Sequence, residues 1–261
     1  MDTTLHTPET IYSPRHVPSW LMLAASAGAV NGFAFTMCEQ FVTHLSGTFT
    51  ELGQQSWRAT LVFDSAAIIL SFIAGAVASI VMLHARASSG DHPRWATPLV
   101  SVTLLLIGVA MAGRAGLFGT IGGDEPPILL LSLLSFAMGA QNAAVAATTG
   151  LAVRTTHVTG PATDLGIHLG TALFTRGKDR WNALRGAFLR GGKIIAFGVG
   201  AGLSVPLTAT LDYFALLIPA TGIAFATALS FNVNTAEASA WLPWSRARNP
   251  QLATEDLGSK D

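Results

Sequence analysis

The chain has 261 residues, a formal net charge of zero at pH 7, and a composition that is 50% hydrophobic and only 11% charged. Soluble domains carry roughly a quarter charged residues, so this composition is typical of a membrane protein. The balanced charge gives no support to nucleic-acid binding. The single cysteine, Cys38, excludes an intrachain disulfide and a multi-cysteine zinc site.

The first residues, 1–18, are polar and carry two carboxylates without a basic region at the start. A secretory signal peptide would begin with such a basic region and continue into a short apolar one. We therefore expect a flexible tail before the first apolar segment.

Six apolar segments follow that are long enough, or nearly so, to cross about 30 Å of hydrocarbon as helices. They lie near residues 19–36, 60–83, 97–118, 127–149, 187–207 and 212–231. We predict an all-α, polytopic membrane bundle with one transmembrane domain over 19–232 and a polar C-terminal tail over 233–261. Trp241 and Trp244 in that tail fit either an interfacial position or an ordinary tail.

The distribution of Lys and Arg predicts the orientation. With six spans, one face receives the N-terminal tail, the second and fourth loops and the C-terminal tail, and these hold thirteen of the fifteen basic residues. The other face receives only Arg58 and Arg114. By the positive-inside rule both termini are expected to be cytoplasmic. The basic run at 176–193 is explained by topology, although a nucleic-acid patch or an anionic-lipid site would look similar.

One pattern occurs twice in the chain. The stretch "THLSGTFTELGQQ" (43–55) is matched by "THVTGPATDLGIH" (156–168). Identical residues occupy corresponding positions, and the acids Glu51 and Asp164 also correspond. The identical pairs are His44 and His157, Gly47 and Gly160, Thr50 and Thr163, Leu52 and Leu165, and Gly53 and Gly166.

Flanking segments match in the same order, which favours an internal repeat over chance. "GAVN" (28–31) corresponds to "GAQN" (139–142), and "FIAGA" (72–76) corresponds to "FGVGA" (197–201). We therefore divide the domain into two repeats, about 19–120 and 127–232. Because each repeat holds three spans, the second must enter the membrane from the opposite side, as in many secondary transporters.

Each motif predicts an interruption followed by a helix start. Pro161 suits the first turn of a helix because it lacks a backbone donor. Thr48 and Glu51 have the spacing of a capping box. At membrane depth the free N–H groups of such a helix would favour an anion. Glu51 and Asp164 could instead neutralise these ends themselves, or both motifs could be ordinary caps at the surface.

The candidate substrate-binding residues are the polar groups of the two motifs and of the spans beside them. They are Asn31, His44, Thr48, Glu51, Gln141, Asn142, Arg154, His157, Thr159 and Asp164. The amides could equally bridge helices, which is their commoner role in membranes. The histidines permit proton coupling but could simply be hydrogen-bonded within the bundle. No catalytic residue, metal ligand or cofactor is predicted, because the chain lacks the HExxH and Gly-x-Ser-x-Gly motifs.

The segments "GAQNAAV" (139–145) and "VRTTHVTGPATDLG" (153–166) resemble the hallmark of the YoaK-type family. These are bacterial inner-membrane proteins of about six spans and of unknown function, and the resemblance covers roughly residues 18–232. In the first half the family has an acid where this chain has Asn31, and Thr-Gly-Asn where it has "SGT" (46–48). The resemblance implies an integral membrane protein with a transporter-like fold and no known substrate.

Two functional hypotheses follow. The first is a secondary transporter or permease for a small polar or anionic solute, with a coupling ion and a site near the midplane between the repeats. The second is a scaffold or accessory subunit that binds partners or anionic lipid. An enzyme is not expected. Small-residue faces on the second and fifth spans favour close helix packing and permit oligomer formation.

Overall fold

The computed structural model describes residues 4–54, 59–87, 94–118 and 127–231, and all regular structure in these ranges is helical. The predicted C-terminal tail, with Trp241 and Trp244, lies outside the described residues. The helices are α1 (Pro8–Ile11), α2 (Val17–Cys38), α3 (Leu45–Gln54), α4 (Ala59–Ala87), α5 (Thr97–Arg114), α6 (Ile128–Thr148), α7 (Thr159–Phe174), α8 (Gly177–Leu211), a 3-10 turn (Asp212–Leu216) and α9 (Leu217–Ser230).

Five described helices are long and apolar enough to cross a membrane, one fewer than the six spans predicted. Four of them lie on α2, α4, α5 and α6. The fifth is a 54-residue stretch, Gly177–Ser230, that comprises α8, the 3-10 turn and α9. The predicted fifth and sixth spans both fall within this stretch, and the count of six stays a prediction.

The breaks and the helices α3 and α7 occur where the two motifs predict them, but the helices begin earlier than expected. α3 begins at Leu45, so Thr48 lies inside the helix and its hydroxyl donates to the His44 carbonyl at 3.3 Å. The capping box predicted from Thr48 and Glu51 is therefore wrong. α7 begins at Thr159, which places Pro161 in its first turn.

The basic run predicted as a loop is helical. α8 has 35 residues and begins at Gly177, well before the predicted span at 187–207. α7 packs along its first half in the opposite direction, with the His168 ring over Gly186 and the Leu165 side chain against Gly191. The longest connection between spans is therefore a helical hairpin.

The central helices pack in two similar groups. α2 lies mainly against α8 and α9, whereas α6 lies mainly against α4 and α5. α3 packs on α4, α7 packs on α8, and α5 and α9 also contact each other. The core between these helices is apolar and includes Leu23, Phe33, Leu106 and Leu134, all at most 1% exposed.

Two pairs of glycines bring the paired helices into backbone contact. A Cβ atom on Gly28 would overlap the carbonyl oxygen of Phe197, and one on Gly139 would overlap that of Phe72. Only glycine permits such an approach, because any side chain would displace the facing backbone.

The facing helix in each of these two crossings also contributes a glycine to the contact. A Cβ atom on Gly200 would overlap the carbonyl of Ala25, and one on Gly75 would overlap that of Phe136. By contrast, Gly198 has nothing within 4 Å of the corresponding position. The small-residue faces predicted from the sequence thus contact neighbouring helices at particular glycines rather than along the whole stripe.

Residues 4–16 lie against the bundle. The backbone N–H groups of Leu5 and His6 donate to the Thr148 carbonyl at 2.8 and 2.9 Å. The Trp20 indole, which is fully buried, donates to the Ile11 carbonyl at 3.0 Å. The polar composition of this segment does not predict such docking.

Candidate functional site at the second helix break

At the first break, Asn31 holds the chain between α2 and α3. Its Oδ1 accepts hydrogen bonds from the N–H groups of Val42 and Thr43, both at 3.1 Å, and from the Thr43 hydroxyl at 2.9 Å. All three residues are buried. The amide therefore satisfies backbone donors that would otherwise be lost where the helix is interrupted.

The other predicted residues of the first motif lie farther out. His44 is exposed and contacts the Phe41 ring at a centroid distance of 5.2 Å, whereas Thr48 is buried. Glu51 is half-buried. No hydrogen bond or ion pair joins any of these three side chains to the second motif within the described ranges.

The second break is built in the same way but is more polar. Asn142 Oδ1 accepts the N–H of Thr155 at 3.2 Å. The neighbouring Gln141, fully buried, donates from Nε2 to the Leu23 carbonyl and to the Thr155 hydroxyl, each at 3.0 Å. Gln141, which lies on α6, thus connects the second break to α6 and also joins it to α2.

Both breaks lie within the length of α2 rather than beyond its ends. Leu23, beside the second break, is about 9 Å along the helix from Val17, at 1.5 Å per residue. Asn31, beside the first break, is about 10 Å from Cys38, and the two levels are about 12 Å apart. The interrupted stretches therefore enter the bundle from opposite ends and stop short of each other.

A buried lysine faces the second break. The Lys193 side chain on α8 is 5% exposed, and its Nζ donates to the Arg154 carbonyl at 3.1 Å. Among the described residues no carboxylate lies within 4 Å of it, because the single ion pair there joins Asp164 to Arg190. An ammonium removed from water without a counter-ion is costly, so this position favours a bound anion.

Two buried oxygen atoms near Lys193 have no hydrogen-bond partner. They are Oε1 of Gln141 and the hydroxyl of Thr156, on side chains that are 0% and 1% exposed. Buried polar atoms are nearly always satisfied, so each unpaired one indicates a missing water or ligand. Both lie at the break, since Gln141 bonds to Thr155 and Thr156 follows it.

The start of α7 contributes further donors. Its first residue is Thr159, and no side chain caps the N–H groups of the first turn. His157 is half-buried and lies beside Gly160, while Arg154 and Thr159 are exposed. The end of the helix and its dipole thus add positive potential to that of Lys193.

The acid of the second motif is turned outward. The Asp164 carboxylate is 52% exposed and lies 3.7 Å from Nε of Arg190, which is 12% exposed. Arg190 also donates to the Tyr12 hydroxyl at 2.6 Å. Asp164 is therefore paired with Arg190, and it acts on Lys193 only from beyond ion-pair distance.

The structure thus divides the predicted site residues into two groups. Gln141, Asn142, Arg154 and His157 surround the second break, with Thr159 and Asp164 on the helix that follows it. Asn31, His44, Thr48 and Glu51 belong to the first break. Lys193 was used in the sequence only to predict the orientation in the membrane. Its position in the apolar run "GGKIIAFG" (191–198) is the signal that distinguishes it from the other basic residues.

The described residues contain no group of three His, Cys, Asp or Glu side chains that could hold a metal ion. The polar atoms at the second break are one ammonium, amide and hydroxyl groups, and backbone N–H groups. This donor set suits an anion rather than a cation.

Comparison with known proteins gives one match. A family described as "Protein of unknown function (DUF1275)" matches residues 19–229. No curated protein and no solved structure matches the chain. Because the match covers most of the sequence, the chain belongs to the DUF1275 family.

Proposed function

We propose that the protein is a secondary permease of the bacterial inner membrane that binds a small anionic solute at the second helix break. The observation that carries this proposal is the buried Lys193 ammonium, which has no carboxylate within 4 Å among the described residues and lies beside an uncapped helix start. An anion bound there would offset the cost of burying the charge. The unpaired oxygens of Gln141 and Thr156 would bind a hydroxyl or amino group of the same solute.

An inverted repeat provides the frame for such a site. Exchanging α2 with α6, α3 with α7, α4 with α8 and α5 with α9 reproduces the main helix contacts. The same exchange converts one glycine contact into the other: the contact of Gly28 with the Phe197 carbonyl corresponds to that of Gly139 with the Phe72 carbonyl. This correspondence supports two three-span units of opposite direction, with α8 and α9 as the fifth and sixth spans, and alternating access by movement of one unit against the other.

The proposed site breaks this symmetry. The repeat aligns Lys193 with Ile68, a buried apolar residue. Among the described residues the first break has no buried cation, and a single anion would bind at the second break, where Gln141 joins the two units through Leu23. The excess of Lys and Arg on the face of the termini supports a cytoplasmic location for this end of the bundle.

Uptake into proteoliposomes tests the proposal. A panel of small carboxylates and inorganic anions is offered with and without a proton gradient, and accumulation is compared with protein-free vesicles. We expect Lys193→Met to reduce uptake at least about ten-fold, the effect of losing one charged contact. Arg180→Met is the matched control, because Arg180 is an exposed cation on the same helix.

The outcomes separate the two functional hypotheses. Uptake that survives Lys193→Met, or falls equally in Arg180→Met, would overturn the site. If no anion is accumulated and a stoichiometric partner co-purifies instead, the protein is an accessory subunit rather than a permease. Uptake that occurs only in the presence of a proton gradient would assign a coupling role to a titratable group such as His157.

A further inference from the structure

Two grooves adjoin at the start of α8, on either side of Tyr12 and Arg185. One has a volume of about 490 Å³ and is lined mainly by apolar side chains, including Val17, Trp181 and Phe188. The other has a volume of about 760 Å³ and is lined by several polar side chains, including Lys178 and Asn182. Both volumes fall within the range of ligand sites, roughly 300–1,000 Å³.

The polar groove carries a net positive charge. Its two cations, Lys178 and Arg185, outnumber a single acid, Asp179, and Asn182 and His168 also line it. Arg185 donates from Nη2 to the Tyr12 carbonyl at 3.1 Å, and its guanidinium lies 5.6 Å from the centre of the Tyr12 ring. This contact fixes the guanidinium at the boundary between the two grooves and leaves its other donors available.

The apolar groove continues a surface that faces lipid. Trp181, Phe188 and Ile195 are 62%, 68% and 68% exposed, and they recur every seven residues on one face of α8. Val199 and Leu203 extend the same face toward the C-terminal end of the helix. The groove thus lies where the apolar stripe of a spanning helix meets its basic end.

We infer that the two grooves form one binding site for an anionic phospholipid. The headgroup phosphate binds Lys178 and Arg185 in the polar groove, and an acyl chain lies along Trp181 and Phe188 in the apolar one. Charge complementarity selects the lipid, since the cytoplasmic leaflet, where the termini are expected, carries the anionic lipids of the membrane. The site is separate from the one proposed around Lys193 and does not depend on transport.

Thermal unfolding of the delipidated full-length protein in a neutral detergent tests this inference. Dioleoyl phosphatidylglycerol, at about a hundred-fold excess over its Kd, is expected to raise the Tm by about 5 °C. Dioleoyl phosphatidylcholine tests the need for negative charge, and glycerol 3-phosphate tests the need for an acyl chain. We expect neither to change the Tm by more than about 1 °C.

Three variants locate the effect. Lys178→Gln and Arg185→Gln are expected to weaken phosphatidylglycerol binding about ten-fold each, measured by native mass spectrometry. Lys178→Gln keeps the test valid if loss of the Arg185 contact to Tyr12 disturbs folding. Arg180→Gln, a neighbouring exposed cation that lines neither groove, should bind normally. An equal loss in Arg180→Gln, or an equal shift with phosphatidylcholine or glycerol 3-phosphate, would overturn the site.

Discussion

Asn31 binds Thr43 twice through one oxygen: its Oδ1 accepts the Thr43 N–H at 3.1 Å and the Thr43 hydroxyl at 2.9 Å. The side chain acts at the first break as an acceptor, and none of these bonds uses its NH2 group. An aspartate could make the same bonds. The acid that the family resemblance implies at this position would therefore fit a structural role.

We expect Asn31→Asp to fold and unfold close to wild type, whereas Asn31→Leu should be strongly destabilised. Leucine would leave the Val42 and Thr43 N–H groups buried and unpaired, at about 3 kcal/mol in total. In a domain of this size that corresponds to a Tm about 8 °C lower. The Tm of each purified variant measures the difference, and equal Tm values for the two variants would contradict it.

The helix crossing at Gly200 gives a second prediction. Gly200→Ala should lower the free energy of unfolding by about 2 kcal/mol, because the new methyl group would overlap the Ala25 carbonyl and force α2 and α8 apart. Gly198→Ala lies two residues earlier on the same helix, where a Cβ meets nothing within 4 Å.

Gly198→Ala should therefore be neutral or slightly stabilising, since alanine is favoured over glycine within a helix by up to about 1 kcal/mol. Unfolding in a denaturant gradient compares the two variants. If both lose stability to the same extent, the effect reflects glycine itself rather than the backbone contact. Gly139→Ala extends the test to the crossing of α6 and α4, where we expect a similar loss.

Asp164→Asn should change stability very little. The carboxylate is half-exposed and lies 3.7 Å from Arg190, and exposed ion pairs contribute about 0–1 kcal/mol. The Tm should therefore remain within about 2 °C of wild type. A larger decrease would mean that the Asp164–Arg190 pair holds α7 on α8. With stability preserved, any loss of uptake in this variant can be assigned to function.

The hydropathy of the chain was sufficient to locate long apolar helices, because a membrane helix must be long and apolar whatever its neighbours are, but it did not settle how many spans 177–230 contains. The repeated motifs also placed both breaks, since Pro161 and the spacing of small and polar residues shared by the two motifs are local signals. The start of α3 at Leu45 was not predictable in the same way. Thr48 and Glu51 fit a cap by spacing, but whether a threonine caps or lies within a helix depends on where the preceding chain is held, here by Asn31.

Burial separates Lys193 from the other cations of the same run. In the sequence it is one of several basic residues between 176 and 193, and periodicity within α8 does not show which of them turns inward. α7 covers this part of α8, and the second break brings the Arg154 carbonyl to the ammonium. Both contacts are tertiary, so the apolar run around Lys193 singles out the residue but does not encode the groups that surround it.

The N-terminal segment provides a prediction about pH. The buried His6 ring makes edge contacts with Trp20 and Phe231, at centroid distances of 5.0 and 5.8 Å. Burial, together with the neighbouring His16, lowers the pKa of His6 from 6.5 to about 3. Burial and the adjacent Arg15 lower the pKa of His16 as well. The docked segment therefore requires neutral imidazoles.

The direction of the pH effect follows from this lowered pKa. When the segment is released, the pKa of His6 returns to about 6.5, so the ring takes up a proton below that pH. In the docked state the same ring remains neutral down to about pH 3. Docking is thus fully stable above about pH 6.5 and weakens progressively as the pH falls toward 3. The loss from His6 alone is about 1.4 kcal/mol at pH 5.5, or about ten-fold in the docking equilibrium.

Hydrogen exchange at Leu5 and His6 measures this effect, because both N–H groups are bonded to Thr148. After correction for intrinsic rates, we expect protection at pH 5.5 to be several-fold lower than at pH 7.5. His6→Phe keeps an aromatic ring beside Trp20 but cannot titrate, so it should retain most of its protection at pH 5.5. If its protection falls as much as that of the wild type, His6 is not the titrating group and His16 must carry the effect.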